Sequence, residues 1–210
     1  MALGRGNQEK AVSLFRRAVS LHEKALRISK LEGMLDEFPW AENGLSYTIA
    51  HCHEYANEAL PYDLKTAYEN SIRLEDRINT SLAWQAKSHL VEHVKGFIAF
   101  KMGSSDLAEK HFRKSLEGLN QRKIGNQIDK KGLADQKAEV LFHIGLIYWS
   151  RNTDTDRGRA KVQWKKARST IEKAWESEAV RAWNEQYWSF HQLKTSDKET
   201  KRLRDFLQKP

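Results

Sequence analysis

The stretch His89–Leu119, HLVEHVKGFIAFKMGSSDLAEKHFRKSLEGL, constrains the fold more than any other. It sets Gly96 inside an apolar run, turns at Gly103-Ser104-Ser105-Asp106, and then lines Ala108, Phe112 and Ser115 along one helical face. A glycine inside a helix costs roughly 1 kcal/mol against alanine, so some packing gain has to offset it. Close approach is that gain: with no side chain at Gly96 and a small one at Ala108, two helices joined by the turn can nest. The spacing returns in QKAEVLFHIGLIYWS, where Gly145 and Tyr148 are followed by Ala160, Trp164 and Ala167. Its second half opens the chain as Ala11, Phe15 and Ala18, and a weaker copy runs through Tyr55, Leu64, Tyr68 and Ser71.

These patterns predict an all-α chain. The 3 prolines lie outside the periodic segments, and strand-like alternation is scarce. Helices are expected over Gln8–Ser29, Ala41–Leu60, Leu64–Asn79 with Asp63 as N-cap, and Leu82–Met102. Further helices are expected over Asp106–Gln121, Leu133–Arg151, Arg159–Trp175, Glu178–Lys194 and Asp197–Gln208, about 8–9 in all. The first carries a broad apolar stripe that includes Leu14, Phe15, Val19, Leu21, Leu26 and Ile28. Arg122–Gly132 is polar and holds two glycines, so it is expected to be a long loop. Asn152–Gly158 is expected to be a turn lengthened by a three-residue insertion, since Gly145 to Ala160 is longer than Gly96 to Ala108.

At 210 residues the chain is expected to form one repeat domain, 1–210. Residues 1–80 would be its irregular start, 81–176 its two best copies and 177–210 its capping helices. Cys52 is the single cysteine, which leaves no disulfide framework and fits a reducing compartment. No apolar run reaches the length of a membrane span and no apolar signal core opens the sequence, so a cytoplasmic location is expected.

The net charge of +8 is unevenly placed: residues 1–100 hold 12 Lys and Arg against 13 Asp and Glu, so all of the excess lies beyond them. The densest cationic run holds Arg151, Arg157, Arg159, Lys161, Lys165, Lys166 and Arg168. Such an asymmetry suits an anionic partner. With Trp149, Trp183 and Trp188 nearby in sequence, it also fits the combination of ring stacking and backbone contact that single-stranded nucleic acid uses.

The glycine–tyrosine–alanine–aromatic–alanine spacing resembles the tetratricopeptide repeat, in which helix A carries L-G-x2-Y and helix B carries A-x3-F. Ile144, Gly145 and Tyr148 match helix A, and Ala160, Trp164 and Ala167 match helix B; Gly96, Ala108 and Phe112 match in the central copy. Ala11, Phe15 and Ala18 match a helix B whose helix A is absent, so the chain is expected to begin in mid-repeat. Glu92 and Lys95 depart from the pattern by standing at core positions, and the proline expected after helix B is missing. The resemblance implies an α-solenoid of antiparallel helical hairpins whose concave groove holds a peptide or a partner's helix. By the same resemblance, Leu90, His93, Phe97, Phe142, Leu146 and Trp149 would line that groove. Since His93, Phe97, Phe142 and Leu146 stand where family members that clamp a terminal carboxylate carry Lys and Asn, an apolar or helical ligand is implied instead.

His89, Glu92 and His93 form an H-x-x-E-H pattern with both histidines one turn apart on one face. No third ligand accompanies them, and the surrounding repeat grammar leads us to read them as ordinary histidines. His51 and His53 point to different faces and make a poor chelate. Glycine-rich phosphate loops and nucleophile elbows are lacking. A non-enzymatic protein-interaction module without a cofactor or metal is therefore the leading expectation. A nucleic-acid-binding protein, or the scaffold part of a larger regulator, comes next.

Overall fold

The computed structural model describes residues 5–33, 40–55, 63–80, 85, 87–122 and 127–175. Among them there are seven helices and no strand: α1 Arg5–Leu31, α2 Trp40–Tyr55, α3 Leu64–Asn79, α4 Ser88–Lys101, α5 Ser105–Gln121, α6 Gln127–Arg151 and α7 Asp154–Glu172. The expected helices over Glu178–Lys194 and Asp197–Gln208 lie outside the described residues. No helix among the described residues is long and apolar enough to cross a membrane.

Two compact units divide the chain, one holding α1 to α5 and the other α6 and α7. The division falls at residue 122, within the stretch expected to be a long loop. That loop is also shorter than expected, because α6 starts at Gln127 and takes in Gly132.

In the first unit α1 packs on α2, α2 on α3 and α4, α3 on α4, and α4 on α5. Asp63 caps α3 as its position implied, its carboxylate accepting from the Thr66 amide at 2.7 Å. That bond, with the charge of Lys65 helping, lowers the Asp63 pKa. Leu74, Ile78 and Val91 join α3 to α4 through a buried apolar cluster. Arg77 of α3 pairs with Glu42 of α2. The broad apolar stripe expected on α1 divides in two. Val19 is buried and Phe15 and Leu26 are half-buried, while Leu14, Leu21, Ile28 and Leu31 face outward.

The two best copies of the repeat grammar fold alike within their separate units. In α4–α5, Gly96 lies against the ring of Phe112; a methyl group added there would sit 2.8 Å from Phe112 Cδ1. In α6–α7, a methyl group on Gly145 would sit 2.3 Å from Trp164 Nε1. Ala108 and Ala160 are fully buried beside these contacts. Side-chain hydrogen bonds fasten each pair, Ser115 Oγ donating to the His89 carbonyl at 2.7 Å and Trp164 Nε1 to the Phe142 carbonyl at 3.1 Å.

Seven residues after each glycine the chain leaves the helix in the left-handed region, at Gly103 (φ 79°) and at Asn152 (φ 58°). Glycine and asparagine are the residues that enter this region most readily. The expected long turn at Asn152–Gly158 shrinks to Asn152–Thr153. Thr153 caps α7 by accepting from the Asp156 amide, so the three inserted residues extend the helix instead of the loop.

This packing separates two kinds of glycine. Gly145→Ala should lower stability by about 1–3 kcal/mol, since the tryptophan ring has no room to retreat, and Gly96→Ala should cost less. Gly132 and Gly158 have nothing within 4 Å of an added methyl group. Alanine at those two should raise stability by up to about 1 kcal/mol. Denaturant unfolding of the four variants checks the order.

Candidate functional site

Among the described residues, an extensive cluster of ionisable side chains within a single unit lies where α3, α4 and α5 meet. Glu92 and Lys95 sit one turn apart on α4, at positions that the repeat grammar reserves for the core, and both are indeed enclosed: Glu92 is 6% exposed and Lys95 4%. Burying lone charges costs several kcal/mol, so each must be paired. Lys95 Nζ donates to Glu75 of α3 at 2.5 Å and to Glu92 at 3.3 Å. The other Glu92 oxygen accepts from His111 Nδ1 of α5 at 2.6 Å. His111 Nε2 meets the Tyr68 hydroxyl of α3 at 2.8 Å. Lys114 Nζ lies 3.6 Å from Glu92 at the outer edge.

Burial works to raise the Glu92 pKa, but the hydrogen bond from His111 and the charge of Lys95 overcome it and hold the carboxyl at about 2. For Tyr68, burial and then the charges of Glu92 and Glu75 all push the hydroxyl up, so it keeps its proton. The Tyr68 hydroxyl and Glu92 meet the two ring nitrogens of His111 from opposite sides. Phenol, imidazole, carboxylate and ammonium thus form one continuous chain of bonds across three helices. Its geometry fixes their mutual register. Each donor finds its acceptor only when α3, α4 and α5 are correctly set.

The H-x-x-E-H pattern is taken apart by the fold. Glu92 turns to His111 and Lys95, whereas His93 lies beside the rings of Tyr47 and Phe112, with centroids 6.1 and 5.7 Å away. His89 and His93 are both buried. His51 is buried between Tyr47 and Phe97, each centroid 4.3 Å away, and His53 is exposed.

Of the six side chains expected to line a groove, Leu90, His93 and Phe97 belong to the first unit and Phe142, Leu146 and Trp149 to the second. Phe97 is fully enclosed by Tyr47 and His51 of α2. Phe142 is buried with its ring 6.0 Å from Trp164, and Leu146 is buried as well. These three side chains are therefore buried in the structure. His93 is buried too, while Leu90 and Trp149 stay half-exposed.

The cationic run gathers around α7 in the second unit but does not make one face. Arg157, Lys161, Lys165 and Arg168 follow one another at helical spacing along one flank, and Arg159 and Lys166 lie on the other. Arg151 and Arg159 both approach the Tyr148 ring, at 5.4 and 5.9 Å, and Arg157 stands 5.6 Å over Trp149. Arg159 also pairs with Asp156 at 3.4 Å and Arg168 with Glu172 at 2.5 Å. Lys161, Lys165 and Lys166 are exposed. Trp164 is core, as expected, and Trp175 lies under Lys131 at 4.6 Å. Trp183 and Trp188 lie outside the described residues.

Sequence reasoning marked Glu92 and Lys95 as misfits but missed their partners, since Tyr68, Glu75 and His111 stand on two other helices at no fixed spacing. It also missed Lys101, whose ammonium lies 5.0 Å over Phe97 and 5.8 Å over Phe100 and whose pKa burial lowers to about 8. Comparison with known proteins yields no match: no family model, no curated protein and no solved structure matches this chain.

The network has a pH signature. Glu92 folded titrates at about 2 against an ordinary 4.5, so its contribution is complete above pH 4.5 and is lost as pH falls toward 2. Glu92→Gln should flatten that part of the stability-versus-pH curve. Lys95→Met leaves the buried Glu92 without its ammonium partner and should cost about 3 kcal/mol at neutral pH. Thermal and denaturant unfolding across pH test both.

Proposed function

We propose that the chain is a non-catalytic protein-interaction module of tetratricopeptide-like helical hairpins. The observation that carries this reading is the recurrence of one device in two units: a helix-A glycine pressed on a helix-B aromatic, Gly96 on Phe112 and Gly145 on Trp164, with a left-handed residue closing each helix A. Hairpins made this way stack into arrays that present extended surfaces to other proteins. The bonds from Tyr68 to Glu75 support the same reading, because they tie three helices together and their central members, Glu92, Lys95 and His111, are buried.

A second reading, binding of RNA or DNA, is favoured by Arg157, Lys161, Lys165 and Arg168 sharing one flank of α7. Cations in such a row suit the phosphates of a nucleic-acid strand.

Capture of partners from the native cell by the full chain, with and without nuclease, separates the two. The interaction module is expected to retain a stoichiometric protein after nuclease treatment. Complete loss of the captured material after nuclease would overturn it. For the second reading, binding to single-stranded nucleic acid should weaken steeply with salt, and Lys161→Glu with Lys165→Glu should lessen that slope by about one unit per lysine. A flat salt dependence would remove it.

A further inference from the structure

The strongest surface feature outside the sites above is the outward face of α1. Leu14, Leu21 and Ile28 are 58%, 58% and 49% exposed and recur every seven residues; Leu31, 78% exposed, continues the line. Ala18 and Ala25 fill the positions four after the two leucines, one half-buried and one exposed. Val19, Phe15 and Leu26, which face the other way, already secure α1 to the unit. The outer line is therefore surplus to the fold. An apolar seam with a seven-residue repeat is the surface that a second helix covers in a coiled coil.

The charges bordering the seam choose among occupants. Lys10, Arg17 and Lys24 are exposed, recur at the same seven-residue interval and stand immediately beside the leucines, and Arg27 is exposed on the same side. Arg16 and Lys30 are also exposed, while Glu23 is half-buried and Glu32 lies beyond the helix end. A second copy of α1 would bring this cationic row against its own kind, in parallel or antiparallel register. A membrane surface calls for a wide apolar face with aromatic side chains, and this seam is one residue wide and aliphatic. Against an acidic helix, in contrast, both seam and border are complementary.

We propose that the outward face of α1 is a docking seam for an acidic amphipathic helix of a partner protein. Leu14, Leu21, Ile28 and Leu31 would supply the apolar contact, and Lys10, Arg17, Lys24 and Arg27 would choose the partner's charge. The proposal rests on the interaction-module reading and adds the surface and the chemistry of the ligand.

The test uses the full chain and two synthetic helical peptides of roughly three heptads, both with leucine at the seam positions. One carries glutamate at the bordering positions and the other lysine. Fluorescence anisotropy should show the glutamate peptide binding and the lysine peptide failing. Leu21→Glu should weaken binding at least about tenfold. Arg17→Glu with Lys24→Glu should reverse the preference toward the lysine peptide, a change that mere unfolding would not produce. Leu21 is exposed, so the unfolding midpoint of its variant should stay with the parent's. Equal binding by the parent and Leu21→Glu would overturn the proposal. So would concentration-dependent dimerisation that Leu21→Glu abolishes, or uptake onto vesicles of phosphatidylserine and phosphatidylcholine in place of the peptide. Should the seam fail while a nuclease-resistant partner is still captured equally by parent and Leu21→Glu, the interaction module stands and α1 is not its surface.

Discussion

Everything in the hairpins depends on how near two helical backbones can come. At Gly145 the distance is set by a tryptophan ring occupying the space a side chain would take, and at Gly96 by a phenylalanine ring in the same role. An aromatic side chain buries a large apolar area, and seating it directly on backbone adds dispersion contacts that a looser fit forfeits. The indole goes further, because its N–H reaches the Phe142 carbonyl and so leaves no buried donor unmade. The helix-propensity cost of glycine is small beside this. Ala108 and Ala160 serve the same approach from the opposite helix.

The charged cluster of the first unit answers a different problem. Apolar packing holds helices together but distinguishes registers poorly, since a leucine slides past a leucine at little cost. A bond chain from Tyr68 through His111 and Glu92 to Lys95 and Glu75 has one solution. Buried ion pairs contribute little net stability against a well-packed apolar replacement, so their contribution is best understood as specificity. Glu92 carries the arrangement, for it is the only member bonded within its own helix and to α5 at once.

How much of this was legible in the sequence follows from the range of each interaction. Gly96, Ala108 and Phe112, and their counterparts Gly145, Ala160 and Trp164, lie within one hairpin, so spacing alone identified the contact and the structure places them there. The Asp63 cap is equally local. The inserted turn was misjudged because three extra residues fit a loop or a helix equally well until Thr153 supplies a cap. Phe97 and Phe142 stand as groove positions by the family resemblance alone, and a resemblance in spacing says nothing of how far each side chain is enclosed; both are buried. The partners of Glu92 came from helices that no pattern on α4 names.

The exposed side of α1 was hidden for another reason, the averaging of charge. Taken together, residues 1–100 are nearly neutral, yet α1 alone holds seven Lys and Arg against two Glu. The acidic residues that cancel them lie further along, between Glu32 and Asp76. Charge acts over a Debye length of about 8 Å at physiological salt, far less than the length of such a segment. What a partner would meet is thus the local row of Arg17 and Lys24 beside Leu21, not the sum over a hundred residues. A seam that is apolar along its centre and cationic along its border discriminates by both properties, and each is set by residues that the core of the unit does not use.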